Sequence, residues 1–152
     1  MMLTYMYLTE KNPDFLQLVH ELDLELAAVN GELQKEYDAL NKLPDDLDIM
    51  VCYDEGEPVG CAALKMQSAT TAEIKRVYVR KAHRRHGVAV QLLQELENIA
   101  QDKNVTQLIL ETSPDFMPAV TLYRSLGYEI IDNYGPYIGK STSVCFGKKI
   151  SG

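Results

Sequence analysis

Apolar residues recur at spacings of three and four along residues 14–29, which predicts an amphipathic helix ending near Gly31. The expected buried face consists of Phe15, Leu16, Val19, Leu22, Leu26 and Ala27. A second helical segment is expected from about Glu32 to Leu43.

From Leu47 the pattern becomes that of strands. The stretch LDIMVCYDEGEPVGCAALKM predicts two strands joined at Asp54–Glu57, where Gly56 suits a tight turn, and therefore an antiparallel hairpin. The stretch TAEIKRVYVR predicts a third strand. Its apolar phase shifts between Ile74 and Val77, which fits either a bulge or a strand end buried on both faces.

Helical and strand patterns alternate in the rest of the chain. From Gly87 one apolar face continues for about 14 residues, through Val88, Leu92, Leu96 and Ile99, which predicts a helix. TQLILET, YEIID and TSVCFGKKI are predicted strands, and PAVTLYRSL is a short helix that Gly127 would end. The fold class expected is α/β, with a mixed and mostly antiparallel sheet of about six or seven strands flanked by about four helices.

Length and composition set the broad class. With 152 residues and 46% hydrophobic content, a single globular domain over residues 1–152 is expected. The opening stretch MMLTYMYLTE lacks the features of a signal peptide or membrane span, so a soluble cytoplasmic protein is expected. Cys52, Cys61 and Cys145 have no CxxC spacing or neighbouring histidine, which favours buried free thiols over a metal site or disulfide.

Charge is unevenly distributed. The formal net charge is -7, yet the stretch from Ile74 to Gln94 contains no Asp or Glu and carries Lys75, Arg76, Arg80, Lys81, Arg84 and Arg85. A net acidic chain lacks the broad positive field that nucleic acid or an anionic membrane surface requires, so neither partner is expected. The basic cluster is either a binding site for a small anion or a solvated turn.

Three phosphate-binding patterns can be compared at this cluster. The dinucleotide fingerprint GxGxxG fails, because Gly87 has no partner glycine two residues away. GPYIGKST, from Gly135, is one residue too short for a P-loop and precedes a strand. The pattern Arg/Gln-x-x-Gly-x-Gly/Ala is matched by the six residues Arg84–Ala89, at the start of a helix where backbone amides bind anions.

With this motif the sequence resembles the GNAT superfamily of acetyl-coenzyme A-dependent N-acetyltransferases. The resemblance covers roughly Leu47 to Ile150 and rests on five stretches in order: PVGCAAL, AEIKRVYV, RRHGVA, LILET and LYRSLGYE. It implies that residues 46–150 form an acetyl-coenzyme A-binding core and that residues 1–45 are variable helices on the acceptor side.

The resemblance also implies a cofactor site without a metal. In the family, amides at the start of this helix bind the coenzyme A pyrophosphate, and the pantetheine arm pairs with the preceding strand. Carried over, the pyrophosphate site is Arg84, Arg85, Gly87, Val88 and Ala89, and the pantetheine strand is Val77, Tyr78 and Val79. Ala89 stands where glycine is commoner.

Two catalytic residues are implied by the same resemblance. Tyr123 matches the family tyrosine that donates to the departing sulfur, although its helical spacing also suits a core residue. Glu73 matches a strand position that supplies the general base in a number of members, and an exposed residue neutralised by Lys75 is the alternative. His83 and His86 are expected to be solvated neighbours of the phosphate loop.

The acceptor is expected to be a primary amine of a small molecule or peptide, attacking the thioester directly in a ternary complex. Acidic residues in the N-terminal half would attract such an amine, or are simply solvated: Glu21, Asp23, Glu25, Glu36, Asp38, Asp45 and Asp46. Tyr134 and Tyr137 would wall its pocket. The alternative function is a non-catalytic coenzyme A-binding module. The resemblance also leaves open whether the chain forms a homodimer, because dimers are common in the superfamily.

Overall fold

The structure of the chain, a computed structural model, describes residues 1–31, 34 and 43–150. The helices among these residues are α1 (Pro13–Asn30), α2 (Val88–Asp102) and α3 (Met117–Ser125). The strands are β1 (Leu3–Leu8), β2 (Asp48–Asp54), β3 (Glu57–Met66), β4 (Thr71–Val79), β5 (Gln107–Thr112), β6 (Glu129–Ile131) and β7 (Val144–Lys149). The expected helix over 32–43 falls, apart from Gln34 and Leu43, outside the described residues.

The strands form one seven-stranded sheet in the order β1-β2-β3-β4-β5-β7-β6. The pairs β1–β2, β2–β3, β5–β7 and β6–β7 are antiparallel, and β4–β5 is parallel over Thr71–Glu73. The predicted α/β class and mostly antiparallel sheet are therefore confirmed. Strand β1 was missed by the sequence analysis, which began the fold with helices.

Two compact units make up the chain, and each is described by itself. The first comprises Met1–Leu64 and Arg76–Leu96, and the second comprises Lys65–Lys75 and Glu97–Gly152. Strand β4 and helix α2 each contribute residues to both units. The single domain expected over residues 1–152 stays a prediction.

In the first unit, α1 begins and ends as its sequence predicts. Asn12 caps the helix by accepting a hydrogen bond from the Phe15 amide at 2.8 Å, and Gly31 follows its end with a φ of 57°. Leu16, expected on the buried face, is 45% exposed, and Leu18 is buried in its place. The core of this unit consists of Phe15, Leu18, Val19, Leu47, Ile49, Val51, Cys61 and Ala63.

The predicted hairpin and the predicted irregularity of β4 are both present. Strands β2 and β3 pair from Asp48 opposite Leu64 to Asp54 opposite Glu57. Within β4, Arg76 adopts a left-handed φ of 58°, between Ile74 and Val77 where the apolar phase shifts. A left-handed residue inside a strand supports the bulge interpretation.

Two further expectations concern the thiols and membrane segments. All three cysteines are free and buried, which confirms the expectation of core thiols. Among the described residues, no helix combines the length and apolar character needed to cross a membrane.

Candidate active site

The loop between β4 and α2 presents an open helix start. Gly87 has a φ of 77°, and a Cβ placed on it would meet no heavy atom within 4 Å. The first hydrogen bond of the α2 backbone runs from the Gln91 amide to the Gly87 carbonyl at 3.0 Å. The amides of Val88 and Ala89 therefore lie in the first turn, which has no intrahelical acceptors. This geometry fits an anionic group such as a diphosphate.

Arg84 is held by protein groups within the first unit. Its Nε donates to the Val79 carbonyl at 2.7 Å, and its Nη2 donates to both carboxylate oxygens of Glu25 at 3.0 and 2.8 Å. The guanidinium also lies 5.8 Å from the centre of the Tyr78 ring. Arg84 thus ties the end of β4 to α1 and to the loop.

Arg85 differs from Arg84 in its surroundings. Its side chain is exposed, its φ is 66°, and no residue within the described ranges pairs with its guanidinium. Of the two arginines in the motif, Arg85 is the one whose charge remains available to a ligand. His83, in the short 3-10 turn Lys81–His83, lies 2.8 Å from Asp54, so it contacts a carboxylate rather than only solvent.

Carboxylates of α1 pair with the arginines around the loop. Glu21 accepts hydrogen bonds from Arg80 at 2.9 and 2.7 Å, and these hold the pKa of Glu21 below its ordinary value. Asp23 lies 2.9 Å from Arg76, an ion pair without hydrogen-bond geometry. Together with Glu25, three of the acids suggested as attracting a cationic acceptor are already engaged with arginines.

The strand expected to meet pantetheine is only partly exposed. Val77 and Tyr78 are half-buried, and Val79 is 8% exposed. Gly60 lies on β3 and lets both α2 and β4 pack closely against that strand. A Cβ at this position would lie 3.0 Å from a Val88 methyl and 3.2 Å from the Tyr78 carbonyl. The position of this strand therefore depends on a glycine that the sequence analysis did not single out.

In the second unit, Glu73 is a buried and well-bonded carboxylate. It is 4% exposed and accepts hydrogen bonds from the Tyr134 hydroxyl at 2.6 Å and from Gln67 Nε2 at 2.8 Å. Lys75 Nζ lies 3.7 Å away, with its own side chain 8% exposed. The alternative of an exposed residue is wrong, although its pairing with Lys75 is present. Burial, followed by the charge of Glu73, raises the pKa of Tyr134.

Glu111 on β5 is a second carboxylate near Glu73, and the sequence analysis did not identify it. Ser143 Oγ donates to it at 2.6 Å. Burial raises the pKa of Glu111, while Lys75 acts against that shift and Glu73 adds to it. The only signal in the sequence was an acidic residue inside the otherwise apolar stretch TQLILET.

Tyr123 combines features of both interpretations offered for it. Its ring is 6% exposed and packs edge-on against Tyr128 at 5.8 Å and at a tilt against Phe146 at 6.1 Å, as a core residue would. Its hydroxyl forms no hydrogen bond with any residue in the described part of the chain, and it is not among the fully buried polar atoms that lack a partner, so the hydroxyl keeps some access to solvent. Burial, then Glu111, raises its pKa, so the phenol stays protonated at neutral pH.

Each unit therefore gathers one part of the expected site. The residues expected to bind the cofactor all belong to the first unit, and they are Val77, Tyr78, Val79, Arg84, Arg85, Gly87, Val88 and Ala89. The second unit holds Glu73 and Tyr123, the residues expected to be catalytic, and both interact electrostatically with Glu111. A further groove of about 390 Å³ in the second unit contains none of the expected site residues. Its lining is Pro114, Met117, Val120, Thr121, Arg124, Ile130, Val144 and Phe146.

A seven-stranded mixed sheet with an open helix start after its central strand is an architecture found among acyl-coenzyme A-dependent acyltransferases. The family model described as the acetyltransferase (GNAT) family matches residues 14–128. The chain therefore belongs to the GNAT acetyltransferase family, as the resemblance implied.

Comparisons with individual proteins agree with this membership. The chain is 34% identical over 100 residues to YsnE of Bacillus subtilis, described as an uncharacterized N-acetyltransferase. That match covers 64% of this chain and 66% of YsnE, just under two thirds of its length.

Solved structures extend the likeness to nearly the whole chain. A Klebsiella pneumoniae protein assigned as an acyl-CoA N-acyltransferase has a TM-score of 0.82 and 27% identity, with 97% of each chain covered. A GNAT acetyltransferase from Elizabethkingia anophelis, solved with acetyl-CoA bound, has a TM-score of 0.69 and 22% identity, and the match covers 97% of this chain and 98% of that one. The second likeness shows the fold alone.

Proposed function

We propose that this chain transfers an acetyl group from acetyl-coenzyme A to a primary amine, by direct attack of the amine on the thioester in a ternary complex. The observation that carries the proposal is the start of α2, where Gly87 leaves open space in front of amides that have no intrahelical acceptors. Family membership supplies the reaction class, since GNAT enzymes act on amine acceptors.

Residues of the first unit would hold the cofactor. The amides of Gly87, Val88 and Ala89 would donate to the diphosphate, and Arg85 would add positive charge. Arg84, through Val79 and Glu25, would position the loop rather than neutralise the ligand. The backbone of Val77, Tyr78 and Val79 would pair with the pantetheine amides.

Residues of the second unit would move the protons. When bound, acetyl-coenzyme A supplies an activated acetyl thioester and a thiolate leaving group. Glu73 would take a proton from the acceptor ammonium, directly or through water, so that a neutral nitrogen can form the new bond to carbon. As the C–S bond breaks, Tyr123, whose raised pKa keeps it protonated, would give its proton to the departing sulfur, and the second proton lost by the nitrogen would return to the phenolate.

Binding is the first test of the proposal. Calorimetric titration of the wild-type chain and of Gly87→Glu would use acetyl-coenzyme A and S-acetylpantetheine, which lacks the diphosphate. The wild-type chain should bind acetyl-coenzyme A with micromolar affinity and should not bind S-acetylpantetheine. Gly87→Glu should not bind acetyl-coenzyme A, because the added carboxylate would occupy the position of the diphosphate. Failure of the folded wild-type chain to bind acetyl-coenzyme A would overturn the proposal.

Turnover is the second test. Thiol release from acetyl-coenzyme A would be followed with spermidine, glucosamine and a lysine-containing peptide as probe amines. Amine-dependent release is expected, and Tyr123→Phe should retain binding while losing rate, because the ring is kept and only the hydroxyl is removed. Tight binding without release for any amine of a broad panel would favour the non-catalytic coenzyme A-binding module.

A further inference from the structure

The segment between β6 and β7, residues 132–143, is fixed by its own hydrogen bonds. The side-chain amide of Asn133 donates to the carbonyls of Tyr137, Lys140 and Ser143 at 3.0, 3.0 and 3.2 Å. The rings of Tyr134 and Tyr137 pack edge to face at 5.6 Å. We call residues 132–143 the Asn133 loop.

This loop reaches two carboxylates of the second unit, the buried Glu73 and the half-buried Glu111. From one end, the Tyr134 hydroxyl donates to Glu73 at 2.6 Å, and from the other, Ser143 donates to Glu111 at 2.6 Å. Short hydrogen bonds of a hydroxyl to a carboxylate are charge-assisted and stronger than neutral ones. The loop therefore contacts the residue proposed as the general base through a specific donor.

Glu73 needs such donors because it is buried. At 4% exposure its carboxylate oxygens have little contact with water, so hydrogen-bond donors and cations of the protein must take the place of water around the charged group. The groups that favour the charged form are the Tyr134 hydroxyl, the Gln67 amide and Lys75. Two nearby groups oppose it when ionised: Glu111 on β5 and Cys145 on β7.

We propose that Tyr134 is a positioning residue for acetyl transfer, whose hydroxyl keeps Glu73 ionised and correctly oriented to take up the proton of the acceptor amine. The inference rests on the function proposed above, since it presumes the role of Glu73. In this step an N–H bond of the ammonium breaks and an O–H bond forms on Glu73, while Tyr134 keeps its own proton. The contribution of Tyr134 is thus to the charge and direction of another residue.

The deciding measurement needs no ligand. The chain would be labelled with ¹³C at the glutamate carboxyl carbons and titrated with acid in the wild type and in Tyr134→Phe, and Glu73→Gln would identify the Glu73 signal. In Tyr134→Phe, Glu73 should become protonated about 1 pH unit higher than in the wild type, because one donor to the charged form is lost. An unchanged Glu73 titration in the folded variant would overturn the proposal.

Tyr128→Phe is the matched control. Tyr128, like Tyr134, is a tyrosine that donates to a glutamate, with its hydroxyl 3.1 Å from Glu97, and it is buried whereas Tyr134 is half-buried. This variant loses a hydrogen bond of the same chemistry and should leave the Glu73 titration unchanged. If Tyr134→Phe does not fold, the ring ¹³Cζ signal of Tyr134 in the wild type decides instead. It should move with the same midpoint as Glu73, and independence of the two signals would overturn the proposal.

Turnover separates this inference from the proposed function. With whichever of spermidine, glucosamine or the lysine peptide is acetylated, Tyr134→Phe should shift the acidic limb of the pH–rate profile upward by about 1 pH unit. In a Glu73→Gln background it should have no further effect, because it acts through Glu73. Wild-type turnover in Glu73→Gln would overturn the role of Tyr134 while leaving acetyl transfer by this chain standing.

Discussion

Replacement of Gly87 by alanine tests whether the space in front of α2 belongs to a ligand. Gly87 has a φ of 77°, and an added Cβ would meet nothing within 4 Å. Gly56, in the turn between β2 and β3, offers a matched position with a φ of 87° and equally open space. Both glycines lie in the first unit, so the two variants differ chiefly in what approaches the residue from outside.

The two alanine variants should lose similar stability. A non-glycine residue in the left-handed region costs about 1–2 kcal/mol. About 0.4–1 kcal/mol of this cost is offset, because alanine has less conformational freedom than glycine in the unfolded chain. No steric overlap adds to this at either position, so each variant should be less stable by about 1 kcal/mol.

Their affinities for acetyl-coenzyme A should differ. At Gly87 a methyl group would separate the diphosphate from the first-turn amides and weaken a charge-assisted hydrogen bond worth about 1.5–3 kcal/mol, or about 10- to 100-fold in Kd. At Gly56 the affinity should be that of the wild type. Urea unfolding gives the stabilities and calorimetric titration gives the affinities. If both alanine variants and the wild type bind acetyl-coenzyme A with equal affinity, Gly87 acts only as a turn residue and the reasoning is refuted.

Three further outcomes follow from the second unit. In Tyr123→Phe the affinity for acetyl-coenzyme A should be retained while thiol release falls at least about 10-fold, and unchanged release would leave Tyr123 a core residue. In Asn133→Ala, loss of the amide that satisfies three carbonyls should cost about 2–3 kcal/mol in urea unfolding, and a cost under about 0.5 kcal/mol would mean that solvent replaces it. The pKa of Glu111 is raised in the folded chain, so the folded chain binds more protons than the unfolded one. The contribution of Glu111 to the free energy of unfolding is therefore fully present below the ordinary glutamate pKa of about 4.3 and is lost as the pH rises. The stability of the wild type relative to Glu111→Gln should therefore decline from pH 4 upward in urea unfolding, and a constant difference would contradict the burial argument.

Local patterns predicted the elements on either side of the loop between β4 and α2. The hairpin, the start of α2 beside Gly87 and the irregularity of β4 near Arg76 each depend on neighbouring residues, and all are present. Strand β1 was missed because it buries little. Met6 and Tyr7 are 51% and 46% exposed, and the strand is held by its ladder with β2, which leaves no clear alternation in the sequence.

Contacts between distant positions could not be read from the sequence. Tyr134 was expected to wall an acceptor pocket, but its hydroxyl bonds to Glu73, 61 positions away. Glu25 was expected either to attract the acceptor or to be solvated, and it binds Arg84, 59 positions away. Periodicity reports which face of an element is buried, whereas the choice of partner for a buried charge is made by the tertiary fold.

These pairings show how the charges of a basic loop are balanced within an acid-rich chain. Arg80 and Arg84 are matched by carboxylates of α1 at distances of 2.7–3.0 Å, so their charges add little to the field beyond the loop. Arg85, the exposed Lys81 and the first-turn amides of α2 remain, and they act at short range. These groups lie close together in the chain near the helix start, an arrangement that suits a compact anion better than an extended polyanion. The net charge of -7 belongs to the whole chain, whereas a phosphate ligand would respond to the charges near the start of α2. The net charge therefore does not argue against a phosphate ligand.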